Sequence, residues 1–156
     1  MKKNINNVVL YIVTMLVVLV GDQLSKIVVA INMTLGASVE IIDNFFYFTY
    51  AQNKGAAWSM FEGHVEFFIA FALVALAGLI FYFIKTDSKE HLTRFGIILI
   101  ISGLLGNVFD RIVLGYVRDF IDFTIFGYDF PIFNIADIAI VIGVGLMMIE
   151  VFMEDE

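Results

Sequence analysis

Four apolar runs decide what this chain can become. Val8–Val20, Phe67–Ile84, Phe95–Leu105 and Ile138–Ile149 contain no Asp, Glu, Lys, Arg or His. A helix crosses about 30 Å of hydrocarbon with about 20 residues at 1.5 Å each. The runs reach that length as spans over roughly 7–30, 65–84, 94–113 and 135–153, which brings polar residues into one end of the first, third and fourth. With 61% of its 156 residues apolar, a water-soluble fold of this size could not hide so much apolar surface in one core. The expectation is a mainly α membrane protein, one membrane domain over residues 1–156 with four transmembrane helices.

Lys2 and Lys3 ahead of Val8–Val20 resemble the start of a cleavable leader. The helical pattern instead continues through Asp22 and Lys26 into Ile27–Ile31, with no clean small-residue cleavage site, so a first span is the better reading. Lys2 and Lys3 flank that span, and Lys85, Lys89 and Arg94 flank the short connection between the second and third. Basic residues favour the cytoplasmic side. Both termini are therefore expected in the cytoplasm, although Lys26, Lys54, Arg111 and Arg118 fall toward the outer side.

Two segments, roughly 32–64 and 114–133, then lie outside. The first holds Val39-Glu40-Ile41 and the aromatic stretch Phe45–Tyr50, and predicts a small sheet on the membrane surface. The second carries Gly115, Gly127 and Pro131, and predicts a loop with a short helix.

The intramembrane polar residues gather at the outer span ends: Asp22, Gln23 and Lys26, then Asn107, Asp110 and Arg111, then Asn134 and Asp137. Alternating span directions bring these groups to one depth. Charge in hydrocarbon is costly and marks function more often than structure. Each residue also has a structural reading. Asp22 and Lys26 have the i, i+4 spacing of a helical ion pair. Asp110 and Arg111 can anchor a helix end, and Asn134 can cap a helix with Asp137 as the reciprocal partner. Asp119, in a loop, would ordinarily be a solvated acid.

The residue inventory narrows the chemistry. With no cysteine, disulfides, thiol nucleophiles and thiolate metal sites are excluded. His64 and His91 fall on opposite sides of the membrane and make no H-E-x-x-H, so no metal centre is expected. Ser59 and His64 share the outer segment without a nucleophile-elbow context. Dinucleotide and phosphate motifs are absent, so no cofactor is expected, and no basic patch suits nucleic acid. Carboxylates remain. Two close acids share a proton, so that one takes a proton from water while the other donates to a carbonyl oxygen. A proton- or ion-coupled membrane transporter is the alternative, but it needs polar stations across the bilayer, and the inner halves are bare. A non-enzymatic membrane anchor leaves the converging polar groups unexplained.

Five blocks occur in order: Asp22-Gln23-Leu24-Ser25-Lys26, Asn53-Lys54-Gly55-Ala56-Ala57-Trp58-Ser59, Gly106-Asn107-Val108-Phe109-Asp110-Arg111, Gly115-Tyr116-Val117-Arg118-Asp119-Phe120-Ile121-Asp122 and Phe133-Asn134-Ile135-Ala136-Asp137. With them the chain resembles, over nearly its whole length, the bacterial lipoprotein signal peptidases (signal peptidase II). Trp58 and Ser25 depart conservatively from residues more frequent there. The resemblance implies an intramembrane aspartic endopeptidase of the bacterial cytoplasmic membrane with its site toward the extracytoplasmic face. Asp119 and Asp137 match the catalytic pair, and Asn53 and Gly55 match the outer substrate region. Asp22, Lys26, Asn107, Arg111, Asn134 and Ala136 match residues that line or brace the site. The implied partners are membrane lipid and prolipoproteins whose Cys already carries diacylglycerol, cleaved just before that Cys. Globomycin-type cyclic peptides would inhibit, making the chain an antibiotic target.

Overall fold

The computed structural model describes residues 2–55 and 63–154. Trp58 and Ser59, with the remainder of their block from Ala56 onward, lie outside the described residues. The element order is α1 (Lys2–Asn32), β1 (Ser38–Ile42), β2 (Phe46–Asn53), α2 (Val65–Lys85), α3 (His91–Leu114), β3 (Val117–Ile125), β4 (Tyr128–Asp129) and α4 (Ile135–Glu154). All four helices are long and apolar enough to cross a membrane.

Helix α3 is the buried member, and α1, α2 and α4 pack around it while showing apolar side chains outward. Val17 on α1, Val74 on α2 and Val141 on α4 are 65%, 73% and 71% exposed, an apolar surface suited to lipid. The small interior comprises Leu76, Ile97 and Ile101, with Met15, Leu79, Phe83 and Met147 against it. Small residues let α3 and α4 approach closely, as membrane helices require when packing rather than water drives association. A Cβ on Gly96 would stand 2.5 Å from the Gly143 carbonyl, and one on Gly103 would strike the Ala136 carbonyl.

The strands form one antiparallel sheet in the order β1-β2-β3-β4. The expected ribbon over the first outer segment is β1 and β2, while the second segment departs from the expected loop and short helix. Residues 117–125 form a strand. Gly115, at φ 79°, ends α3 in the left-handed conformation, and its N–H donates to the Arg111 carbonyl at 3.0 Å. The chain then extends directly as Val117–Ile125, whose β-branched and aromatic residues suit a strand beside β2. Phe126 and Gly127, both at positive φ, make the tight turn to β4, and Ile125 pairs with Tyr128 across it. The glycines read as loop signals mark the two ends of a strand.

A bulge in β2 controls which residues face the site. Phe46 and Phe48 pair with Phe123 and Ile121, but the next partners are Ala51 with Asp119 and Asn53 with Val117. The extra residue between Phe48 and Ala51 reverses the in–out alternation of β2. Asn53 consequently shares a face with Asp119; an unbroken alternation would turn it away.

Candidate active site

Three helix ends and one strand converge on a layer of buried polar residues. Asp22, Lys26, Asp110 and Asn134 are 0% exposed and Asp119 is 3% exposed. Charge in such a place must be paired and hydrogen-bonded. Lys26 Nζ lies 2.8 Å from Asp22 Oδ2 and 3.7 Å from Asp110 Oδ2, and donates to Asn107 Oδ1 at 3.0 Å. The other Asp22 oxygen accepts the Ala136 backbone N–H at 3.0 Å, which ties α1 to the start of α4. A Cβ on Gly106 would stand 2.7 Å from Asp22 Oδ2, so the missing side chain makes room for that carboxylate.

Two asparagines connect Asp119 and Asp137. Asn107 Nδ2 donates to Asp137 Oδ1 at 2.7 Å. Asn134 Nδ2 donates to Asp119 Oδ1 at 2.6 Å and to Asn107 Oδ1 at 3.1 Å. Lys26 determines the direction of this chain of donors. An ammonium can only donate, so the Asn107 atom facing it is the oxygen and the amide nitrogen points at Asp137. Asn53 Nδ2 donates to the second Asp119 oxygen at 3.0 Å, and Asn53 Oδ1 accepts the Gly55 N–H at 2.9 Å.

Burial and the nearby charge of Asp137 push the Asp119 carboxyl up to about 7, against the opposing pull of the Asn53 and Asn134 amides and Lys26. Near neutrality this carboxyl is therefore poised to hold a proton.

A cleft of about 580 Å³ opens beside the pair, lined by Asn53, Gly55, Arg111, Asp119 and Asp137 at its polar end. Phe68 on α2, Phe130–Phe133 after β4, and Ile138, Val141 and Ile142 on α4 form its apolar walls. Arg111 Nη2 donates to the Gly55 carbonyl at 3.1 Å, and its guanidinium lies 5.2 Å from the Phe68 ring centre. The buried Arg111 Nε has no hydrogen-bond partner among the described residues.

The structure thus brings together all ten residues singled out in the sequence. Asp119, Asp137, Asn53, Gly55 and Arg111 line the cleft. Asn107 and Asn134 bridge the two acids, and Asp22, Lys26 and Ala136 brace them from behind. Sequence reasoning missed Arg118, read as one more outer basic residue. It is 7% exposed and forms a forked pair with Asp110, Nη2 to Oδ1 at 2.7 Å and Nε to Oδ2 at 3.1 Å. Gln23, seen only as polar, joins them by accepting from Arg118 Nη2 at 2.9 Å. The signal available was a cation and an acid on either side of Gly115, where an abrupt helix end folds the chain back. Asp110, considered as an interfacial anchor, is instead fully buried.

Fold and site define a multi-pass membrane protein with a carboxylate-lined cleft at one end of its helix bundle. A family model for signal peptidase II matches residues 14–153. Lipoprotein signal peptidases of Staphylococcus aureus strains JH9 and Newman are 44% identical over 132 residues, covering 85% of this chain and 81% of theirs. A structure of a bacterial membrane enzyme obtained by the in meso method at 2.3 Å superposes with a TM-score of 0.87 at 40% identity, covering 94% of this chain and 89% of that one. A second such structure, at 1.9 Å, gives 0.82 at 41% identity, covering 90% of this chain and 91% of that one. The chain belongs to the signal peptidase II family of lipoprotein signal peptidases, which are aspartic endopeptidases.

Proposed function

We propose that Asp119 and Asp137 are the catalytic pair, and that the chain cleaves diacylglyceryl-modified prolipoproteins just before the lipid-bearing Cys. The observation that carries this reading is the pair of buried carboxylates joined through Asn134 and Asn107 at the head of the cleft. In the proposed reaction the ionised carboxylate takes a proton from water as the oxygen attacks the scissile carbonyl carbon. The protonated carboxyl gives its proton to the carbonyl oxygen. The resulting tetrahedral diol collapses, the C–N bond breaks, and the proton taken from water passes to the departing nitrogen of Cys. The other proton returns from the diol to the pair, which is ready for the next cycle. Arg111 holds a substrate carbonyl in the cleft while Asn107 orders the pair, and the outer segment 32–64 closes over the lipid-bearing peptide.

The apolar wall of Ile138, Val141 and Ile142 suits a substrate that is itself a membrane helix with acyl chains attached. One membrane domain carries this activity in the bacterial cytoplasmic membrane, both termini in the cytoplasm and the cleft toward the outer face. Globomycin-type cyclic peptides would compete for the same cleft.

The test is a gel-shift assay with a lipidated prolipoprotein. Asp119→Asn and Asp137→Asn should each abolish cleavage while the protein still inserts; turnover by either purified variant overturns the pair. Because the chain has no cysteine, single Lys54→Cys, Asp129→Cys and Lys89→Cys variants report topology directly. The first two should label from outside and the third should not. The reverse pattern overturns the orientation.

A further inference from the structure

Arg118 lies behind the proposed catalytic pair rather than in it. It lies between Val117 and Asp119 on β3, and its side chain leaves the strand on the face opposite Asp119. Besides the forked pair, the Arg118 backbone N–H donates to Asp110 Oδ2 at 3.0 Å. Gln23 Nε2 adds a donor to Asp110 Oδ1 at 3.2 Å and another to Asp22 Oδ2 at 3.1 Å. Asp110 is thus supplied with donors on both oxygens without Lys26.

The buried layer around this point contains two cations, Lys26 and Arg118, and two acids, Asp22 and Asp110. The balance leaves Lys26 close to Asp22 and bonded to Asn107 Oδ1, with only a 3.7 Å approach to Asp110. Removal of the Arg118 charge would leave two buried carboxylates to one ammonium. Attraction between buried charges is strong and an unpaired buried carboxylate is costly, so Lys26 would be drawn toward Asp110. Its bond to Asn107 would weaken, and with it the orientation of the amide that donates to Asp137.

We infer that Arg118 is a positioning residue for peptide cleavage: it saturates Asp110 so that Lys26 stays on Asn107 and the Asn107 amide stays on Asp137. The inference rests on the reading of Asp119 and Asp137 as the catalytic pair.

The experiment compares Arg118→Met, Arg118→Lys and the double variant Asp110→Asn/Arg118→Met, each purified in detergent and assayed for kcat and KM on a lipidated prolipoprotein peptide. In Arg118→Met, kcat should fall about tenfold to a hundredfold with KM within about twofold, as expected when a reacting group is misaligned by a fraction of an ångström to an ångström. Arg118→Lys keeps the charge and should recover most of kcat. The double variant also removes the Asp110 charge that would attract Lys26, so it should be several-fold faster than Arg118→Met alone. A brace acting only through packing predicts the opposite, because the double variant removes more bonds. Unchanged kcat in Arg118→Met, or a double variant no faster than the single, overturns the inference. If Arg118→Met fails to fold, as thermal melting would show, Arg118→Gln and Asp110→Asn/Arg118→Gln replace that pair: a double variant several-fold faster than the single upholds the inference, and one no faster overturns it. An Asp119→Asn control keeps the two readings apart, since turnover by that variant refutes the catalytic pair whatever the Arg118 variants do.

Discussion

Asn134 and Asp137 cap one another. The Asn134 backbone N–H donates to Asp137 Oδ2 at 3.1 Å, and the Asp137 N–H donates to Asn134 Oδ1 at 3.1 Å. This reciprocal box starts α4. The Asn134 amide nitrogen that remains free of the cap donates to Asp119. One residue therefore begins a membrane helix and aligns a strand-borne acid. Asn134→Ala should lower thermal stability by about 1–2 kcal/mol, the usual cost of losing an N-cap, and remove most turnover. Asn134→Ser keeps a capping oxygen but cannot reach both acids. It should recover stability without activity in parallel melting and cleavage measurements.

A pH-dependent stability follows from Asp119. Its carboxyl is raised from the ordinary 3.8 to about 7, so between those values the folded chain binds more protons than the unfolded one. The stability gained from the neutral carboxyl is full below the lower value and is lost as pH rises through the upper one. Melting temperature should therefore fall more between about pH 4 and about pH 8 in the wild type than in Asp119→Asn. Parallel pH dependences in the two proteins would refute this.

The end of the bundle away from the cleft has its own clasp. The Arg94 guanidinium lies 4.1 Å from the Phe83 ring centre and 5.7 Å from that of Tyr11, and donates to the Thr86 carbonyl at 2.8 Å. It joins α1, α2 and α3. Arg94→Ala should cost about 1–3 kcal/mol through lost cation–π contact and an orphaned carbonyl. Cleavage measured well below the melting temperature should stay within about twofold, because surface and clasp residues far from a site act on stability alone. A large loss of kcat would show that this clasp is coupled to the site.

Close helix packing is a condition of the site's geometry. Gly103 faces the Ala136 carbonyl, one residue before Asp137, and a Cβ there would also meet Ile140 Cγ1 at 2.7 Å. Gly103→Ala must push α4 from α3. The expected cost is about 1–3 kcal/mol of overpacking, with a loss of turnover because Asp137 moves relative to Asn107. Gly145→Ala, with nothing within 4 Å of its added methyl group, should do neither. Melting and cleavage of the two variants side by side decide the matter.

The sequence by itself determined the bilayer as solvent, the four helices and the gathering of polar residues at one end, because hydrophobic length and charge placement are local properties of the chain. The five motif blocks also named the ten site residues through their resemblance to a family. Tertiary structure decided how those residues address one another. Arg118 looked like an outer basic residue until the turn at Gly115 folded it onto Asp110 and, across 95 positions of sequence, onto Gln23. The segment after α3 looked like a loop because its glycines were visible while its partner strand, β2, lay far away in sequence. Asn53 reaches Asp119 only because a bulge reverses the alternation of β2. No local pattern carries that information, since a bulge shows its effect only when a second strand supplies the register. The acid pair follows the same division: each aspartate is legible alone, but their shared environment depends on bonds that span the whole chain.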